Sequence, residues 1–98
     1  MGKRKVTILY PAAIIVAEIA FYIEGEGLPK TAKKFVDEAY AFFEKLSDNT
    51  LEHAPCRNRK WRASEYKCAI FRKKYMVAFI SLTNEIVICD FVNMKLLR

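Results

Sequence analysis

The order of apolar and polar positions divides the chain into a helical first half and a stranded second half. A short β-branched run, Lys5 to Leu9, ends at Tyr10-Pro11 and predicts a first strand. Pro11 suits the first turn of a helix, where its missing N–H costs nothing. Ala12 to Glu24 then predicts a helix that stops at Gly25 and Gly27, residues suited to a left-handed cap. At Leu28-Pro29-Lys30-Thr31 the chain restarts. Ala32, Phe35, Val36, Ala39, Phe43 and Leu46 form one stripe of a second helix, closed by Ser47-Asp48-Asn49. Residues 49–60 predict an irregular connection, and Lys60 to Ser64 a short edge strand. Three β-branched and aromatic runs follow: Tyr66 to Arg72, Tyr75 to Leu82 and Ile86 to Val92. Only Lys73-Lys74 and Thr83-Asn84-Glu85 separate them, which are hairpin lengths.

The element order is therefore β-α-α-β-β-β, an α+β domain. A helical hairpin is expected to pack on an antiparallel sheet of about four strands, with the first strand joined at an edge. Residues 1–98 suffice for one core and not for two. Alternation along the last strand places Asp90 on the face of Ile86 and Ile88, where a neighbouring Arg or Lys would pair with it.

The first helix is unusual in being apolar nearly all round, Glu18 being the only charge before Glu24. Such a helix has to be covered on more than one side. Ile14, Ile15, Phe21 and Tyr22 exceed what one sheet and one neighbouring helix can hide. They are candidates for a partner surface, the alternatives being self-association as a homodimer or simple burial. The apolar run falls short of the roughly 20 residues that span a bilayer, and glycines follow at once. Lys3-Arg4-Lys5 imitates the start of a secretory signal, but Val6, Thr7, Ile8 and Pro11 interrupt the apolar region that should follow. The expectation is a cytoplasmic protein away from the membrane.

Charge adds an asymmetry. The net charge is +6, with 17 basic residues and 11 acidic ones. The first half is balanced, so the excess lies in the second half, and from Arg57 to Lys74 only Glu65 opposes the basic residues. Such a field attracts a polyanion or an acidic protein, unless it is simply a solvated basic surface. Trp61, between Lys60 and Arg62, either stacks on a nucleobase or caps the core beneath a loop.

The residues with chemical potential are few. Cys56, Cys68 and Cys89 are odd in number and lack a C-x-x-C spacing, which predicts reduced, mostly buried thiols. His53 is the single histidine, so a zinc site lacks ligands. There is no nucleophile elbow, no phosphate-binding glycine loop and no pair of carboxylates at metal spacing. No cofactor is implied.

Two stretches together resemble a known family. "FYIEGEGLPKTAKKFVDEAYAFFEKL" is similar to the Tyr-Ile helix end, Gly/Pro turn, Ala-x-x-Phe and Leu-closed helix of the RelE/ParE superfamily, the toxins of bacterial type II toxin–antitoxin modules, plasmid stabilisation proteins among them. "YKCAIFRKKYMVAFISLTNEIVICDFVN" resembles its terminal meander. The resemblance covers Val6 to about Lys95. It departs from the family in the nearly all-apolar first helix, and at the end of the last strand, where Asn93, Lys95 and the terminal Arg98 replace a polar residue followed by Arg.

The resemblance implies a toxin held by a cognate antitoxin, whose C-terminal segment would cover Ile14, Ile15, Phe21 and Tyr22. In the ParE-like branch the target is DNA gyrase. In the RelE-like branch it is mRNA on the ribosome, cut without a metal. Lys67, Arg72, Lys95 and Arg98 resemble the family's basic positions and are the candidate target-binding residues under either reading. Cleavage would also require a general base, and Glu65 and Tyr75 are the residues that offer one, while Tyr66 and Tyr75 at strand starts read equally as packing. The catalytic residues stay unassigned. That incomplete set leans toward the gyrase branch, and a degenerate member that only binds an antitoxin is the third alternative.

Overall fold

A computed structural model describes residues 4–48, 56 and 59–96. Strand β1 (Lys5–Ile8) leads into α1 (Tyr10–Gly25) and α2 (Pro29–Leu46). A five-residue helix, α3 (Arg59–Ala63), precedes β2 (Lys67–Phe71), β3 (Tyr75–Ser81) and β4 (Glu85–Asn93), and a 3-10 turn spans Met94–Leu96. The β-α-α-β-β-β order is the one read from the sequence, with α3 added.

Local chemistry sets the helix ends. Leu9 is extended and its carbonyl accepts the N–H groups of Ala12 and Ala13, each at 3.1 Å, while Pro11 sits in the first turn. Gly27 takes φ +83°, a left-handed conformation that strains any residue with a Cβ. Its N–H reaches the Glu24 carbonyl at 2.9 Å and closes α1. Pro29 opens α2 at once, so the hairpin turn is short and stiff.

The sheet order is β1-β4-β3-β2. β2, β3 and β4 form the expected antiparallel meander, and β1 joins its edge. The β1–β4 pair is parallel, Lys5 lying opposite Glu85 and Ile8 opposite Ile88, so the sheet is mixed. Its inner face carries the main core. Val16 of α1, with Phe35, Ala39, Phe43 and Leu46 of α2, packs on Val77, Phe79, Ile86, Ile88 and Phe91. Phe35 meets Phe71, Tyr75 and Phe91 edge-on at centroid distances of 6.0, 5.7 and 6.4 Å. Each fully buried aromatic contributes roughly 1.5–3 kcal/mol by area alone, so this cluster dominates the stability of the domain.

Two expectations fail here for identifiable reasons. Residues 60–63 form helix and Ser64 a turn, rather than an edge strand. The carbonyl of Trp61 accepts the N–H groups of Ser64 and Tyr66, at 3.1 and 3.0 Å, and Trp61 is buried against the outer face of the sheet. A helical turn satisfies these backbone groups locally, without a strand partner. Asp90 lies on the face opposite to that of Ile86 and Ile88. Phe79 is paired with Ile88 but Ala78 with Asp90, so Cys89 is an extra residue, a β-bulge. From Cys89 onward the parity of β4 reverses: Phe91 enters the core and Asp90 leaves it. Instead of an arginine or lysine, the Asp90 carboxylate accepts the N–H of Phe91 at 2.8 Å.

Candidate functional site

Helix α1 sorts its residues by angle, not by polarity. Ala12, Ile15, Val16, Ile19 and Ile23 recur at helical spacing and belong to the core or pack against it. On the opposite side, Tyr10, Ile14, Ala17 and Phe21 also share one face. Tyr10 is 74% exposed, Phe21 77% and Tyr22, on the flank, 69%. Of the four residues singled out from sequence, Phe21 and Tyr22 thus stand in solvent, Ile14 is half-buried, and Ile15 packs against the core. Tyr10 was missed because it reads as the residue that ends the strand, yet it is the first residue of α1.

Beside Phe21, α1 and α2 enclose an open groove of about 370 Å³. Ala17, Ala20, Pro29, Ala32 and Val36 line it, with Glu24 and Lys33 at its rim. The small alanines let a third element approach the two helix backbones closely. Lys30, Lys33 and Lys34 stand exposed along α2 at this end of the hairpin. Lys33 and Lys34 reach Asp37 and Glu38 only as solvent-exposed pairs, at 3.4 and 3.9 Å. Pairs of that kind hold weakly and leave the lysines able to exchange partners.

The structure separates the basic candidates. Lys67 and Arg72 flank β2 from opposite ends, five residues apart, or about 17 Å along an extended strand. Arg72 is held: it bonds Glu38 through Nε at 3.1 Å and also through Nη2. Its guanidinium lies 5.2 Å from the ring centroid of Phe35 and 5.5 Å from that of Phe71. Lys95 sits in the 3-10 turn, and the neighbouring Met94 N–H donates to the Lys74 carbonyl at 2.8 Å. Lys73, Lys74 and Lys95 therefore form one exposed basic corner beside Arg72, with Lys67 outside it. Arg98, His53 and Arg57 lie outside the described residues. Lys73 and Lys74 were read as a hairpin turn at the end of the basic Arg57–Lys74 stretch, and their place beside Lys95 depends on a strand pairing that spacing does not reveal.

The two tyrosines at strand starts have other occupations. Tyr75 is stacked on Phe91 at 5.2 Å and edge-on to Phe35, which makes it part of the aromatic core. The Tyr66 hydroxyl lies against the Cys89 thiol in the bulge. That thiol, with burial and Asp90, pushes its pKa above 10.0. Burial, reinforced by Asp90, likewise pushes the Cys89 thiol above 9.0, against the lowering effect of its bond to Tyr66. Glu65 is exposed on a left-handed backbone, φ 62°.

The cysteine expectation is overturned. Cys56 and Cys68 form a disulfide, their Cα atoms 4.8 Å apart, and only Cys89 is free. The disulfide spans a sequence separation of 12, and the stretch between includes α3, which folds the chain back so that the Cys56 N–H meets the Tyr66 carbonyl at 3.1 Å. Spacing could not announce this return. Trp61 lies in the small cluster that the disulfide closes, with Cys56, Ala78, Met76 and Val92, which agrees with its reading as a cap beneath a loop.

Among the described residues no helix is long and apolar enough to cross a membrane. No protein-family model and no curated protein matches the sequence. Among solved structures, the chain is similar to one from the chromosomal ParDE TA system of P. aeruginosa. The two superpose with a TM-score of 0.73 at 15% identity, over 93% of this chain and 96% of the other. At that identity the likeness is one of fold: this chain shares the arrangement of that solved chain over almost its whole length.

Proposed function

We propose that this protein is the toxin of a type II toxin–antitoxin module. One observation carries the reading: a fold shared with the ParDE structure over 93% of this chain, together with an uncovered apolar helix face. Leaving Tyr10, Phe21 and Tyr22 in water is costly unless a partner removes them from it. The α1–α2 groove, apolar along its floor and lysine-lined at one side, suits an amphipathic antitoxin segment with acidic residues on its edge. Phe21 and Tyr22 would anchor it, with Ile14 and Ile15 beneath.

The target we favour is DNA gyrase, as in ParE-like toxins. Cleaving mRNA would need a base and uncommitted cations around one phosphate. Arg72 is engaged by Glu38, Tyr75 by the aromatic core and Tyr66 by Cys89, which weighs against that chemistry. The exposed corner of Lys73, Lys74 and Lys95 would then face the target protein.

The experiment is expression of the chain alone and together with the product of its neighbouring gene. Growth arrest by the chain alone, relieved by co-expression, is the expected result. In arrested cells, gyrase-linked DNA breaks with intact mRNA support gyrase as target. mRNA cut within ribosomes would replace it with the nuclease reading, and a harmless, soluble, monomeric chain would remove the toxin reading.

A further inference from the structure

We propose that the Cys56–Cys68 disulfide is an exchange site for a dithiol reductant, and that this exchange decides whether α3 stays on the outer face of the sheet. The inference stands apart from the choice of target.

The two faces of the sheet are covered very differently. The inner face holds two long helices and the main core, while the described cover of the outer face is α3 and Cys56. Helix α3 has five residues, too short to persist without support. Among its described side chains Trp61 is buried, and Arg59, Arg62 and Ala63 are exposed. The disulfide ties this weak element to β2 beside Trp61. Opening it restores freedom to the chain on the Cys56 side, and one tryptophan with a small apolar cluster is a poor counterweight to that entropy. The inner core contains neither Cys56 nor Cys68 and has no need of the bond.

Access to the bond is one-sided. Cys56 is 1% exposed, whereas Cys68 is half-buried on β2, an edge strand. A reductant thiolate therefore attacks the Cys68 sulfur, and the S–S bond breaks with Cys56 leaving as a thiolate that takes a proton from water. The reductant's second thiol then attacks the mixed disulfide and releases Cys68. Two electrons pass from the dithiol, which ends as a disulfide, to the two cysteines. Release of α3 uncovers Ala78 and exposes further the half-buried Met76 and Val92, an apolar strip that the oxidised protein covers in part.

The protein carries its own reporter, because Trp61 is the single tryptophan. The purified full chain, oxidised and then treated with dithiothreitol, should show one titratable thiol in denaturant before reduction and three after. On reduction, Trp61 emission should shift to the red and acrylamide quenching should rise severalfold. The far-UV circular dichroism of α1 and α2 should be retained, and reoxidation should restore the original spectrum. Cys56→Ser should reproduce the reduced spectrum and ignore dithiothreitol. Three thiols in the oxidised protein would overturn the proposal, as would unchanged Trp61 emission and quenching. Loss of Trp61 signal and circular dichroism in one step would also overturn it, since the bond would then hold the whole domain rather than α3.

Discussion

Ile88 and Asp90, two positions apart on β4, lie on opposite faces of the sheet, because Cys89 between them is the bulged residue. Without the bulge Asp90 would enter the core, at the cost of burying a carboxylate, and Phe91 would leave it. With it, Asp90 faces outward beside Cys89 and Tyr66, and three acidic groups share a small volume.

This grouping predicts alkaline sensitivity. The folded state holds the Cys89 and Tyr66 protons above 9.0 and 10.0, the values for the free groups. A group whose folded pKa is raised contributes stability that is complete below its unfolded pKa and is lost as pH rises through the folded value. The melting temperature should therefore be level from pH 7 to about 9 and fall above that. Cys89→Ala should flatten the fall and bring the Tyr66 titration, followed at 295 nm, back toward its ordinary value. Asp90→Asn should move Tyr66 less, since Cys89 is the larger cause. Alkaline profiles identical in wild type and Cys89→Ala would show that the bulge cluster does not titrate as a unit.

The β2–β3 hairpin predicts a stabilising substitution. Arg72 and Lys73 both adopt left-handed backbones, φ 57° and 61°, without being glycine. Each costs about 1–2 kcal/mol relative to a right-handed residue. Lys73→Gly should recover part of this, raising stability by about 0.5–1 kcal/mol in urea denaturation. Arg72→Gly should show little or no net gain, because it also removes the Glu38 pair and the contact with Phe35, worth together about 1 kcal/mol at this exposure. A loss of stability in Lys73→Gly would mean that the turn is not strained.

The inner core predicts the opposite sign. Phe43 is fully buried and meets Phe91 edge-on at 6.0 Å. Phe43→Ala should cost about 3–5 kcal/mol, enough to leave a small domain largely unfolded at 37 °C. Phe43→Leu should cost less and retain cooperative unfolding, a difference read directly from the two denaturation midpoints.

Periodicity made the helical hairpin legible because its signals are local. Gly27 has the left-handed cap conformation, Pro29 restarts the chain, and Ala32, Phe35, Ala39, Phe43 and Leu46 are the buried stripe. The three strands of the meander were legible for the same reason, though the strand expected at 60–64 was not one; within the meander the bulge leaves no mark in composition, and Cys89 reads as one more apolar position. What stayed hidden depends on distant parts of the chain meeting. Cys56 finds Cys68 only because α3 turns the chain back, and Lys95 joins Lys74 only through the register of β3 on β4. Of the candidate site, the unpartnered character of α1 was visible in its composition. Which of its residues face water was fixed by helical angle once Ala12 and Val16 were seen to be buried.

That angle also separates stability from binding on α1. Phe21 is 77% exposed, so replacing it removes little packing, and Phe21→Glu should change the unfolding free energy by no more than about 0.5 kcal/mol. If the α1–α2 groove receives an antitoxin segment, the same change places a carboxylate beside apolar and acidic partner groups. The loss should then reach about 2 kcal/mol, roughly 30-fold in affinity, as expected for an aromatic anchor. Tyr22→Glu, on the flank, should cost less than Phe21→Glu. Lys33→Glu at the groove rim should weaken binding in a salt-dependent way, through lost attraction rather than lost contact. Calorimetric titration of each variant with the neighbouring gene product measures all three. Wild-type affinity in Phe21→Glu, with the fold intact, would move the partner off this face and leave the exposed aromatics of α1 to self-association of this chain.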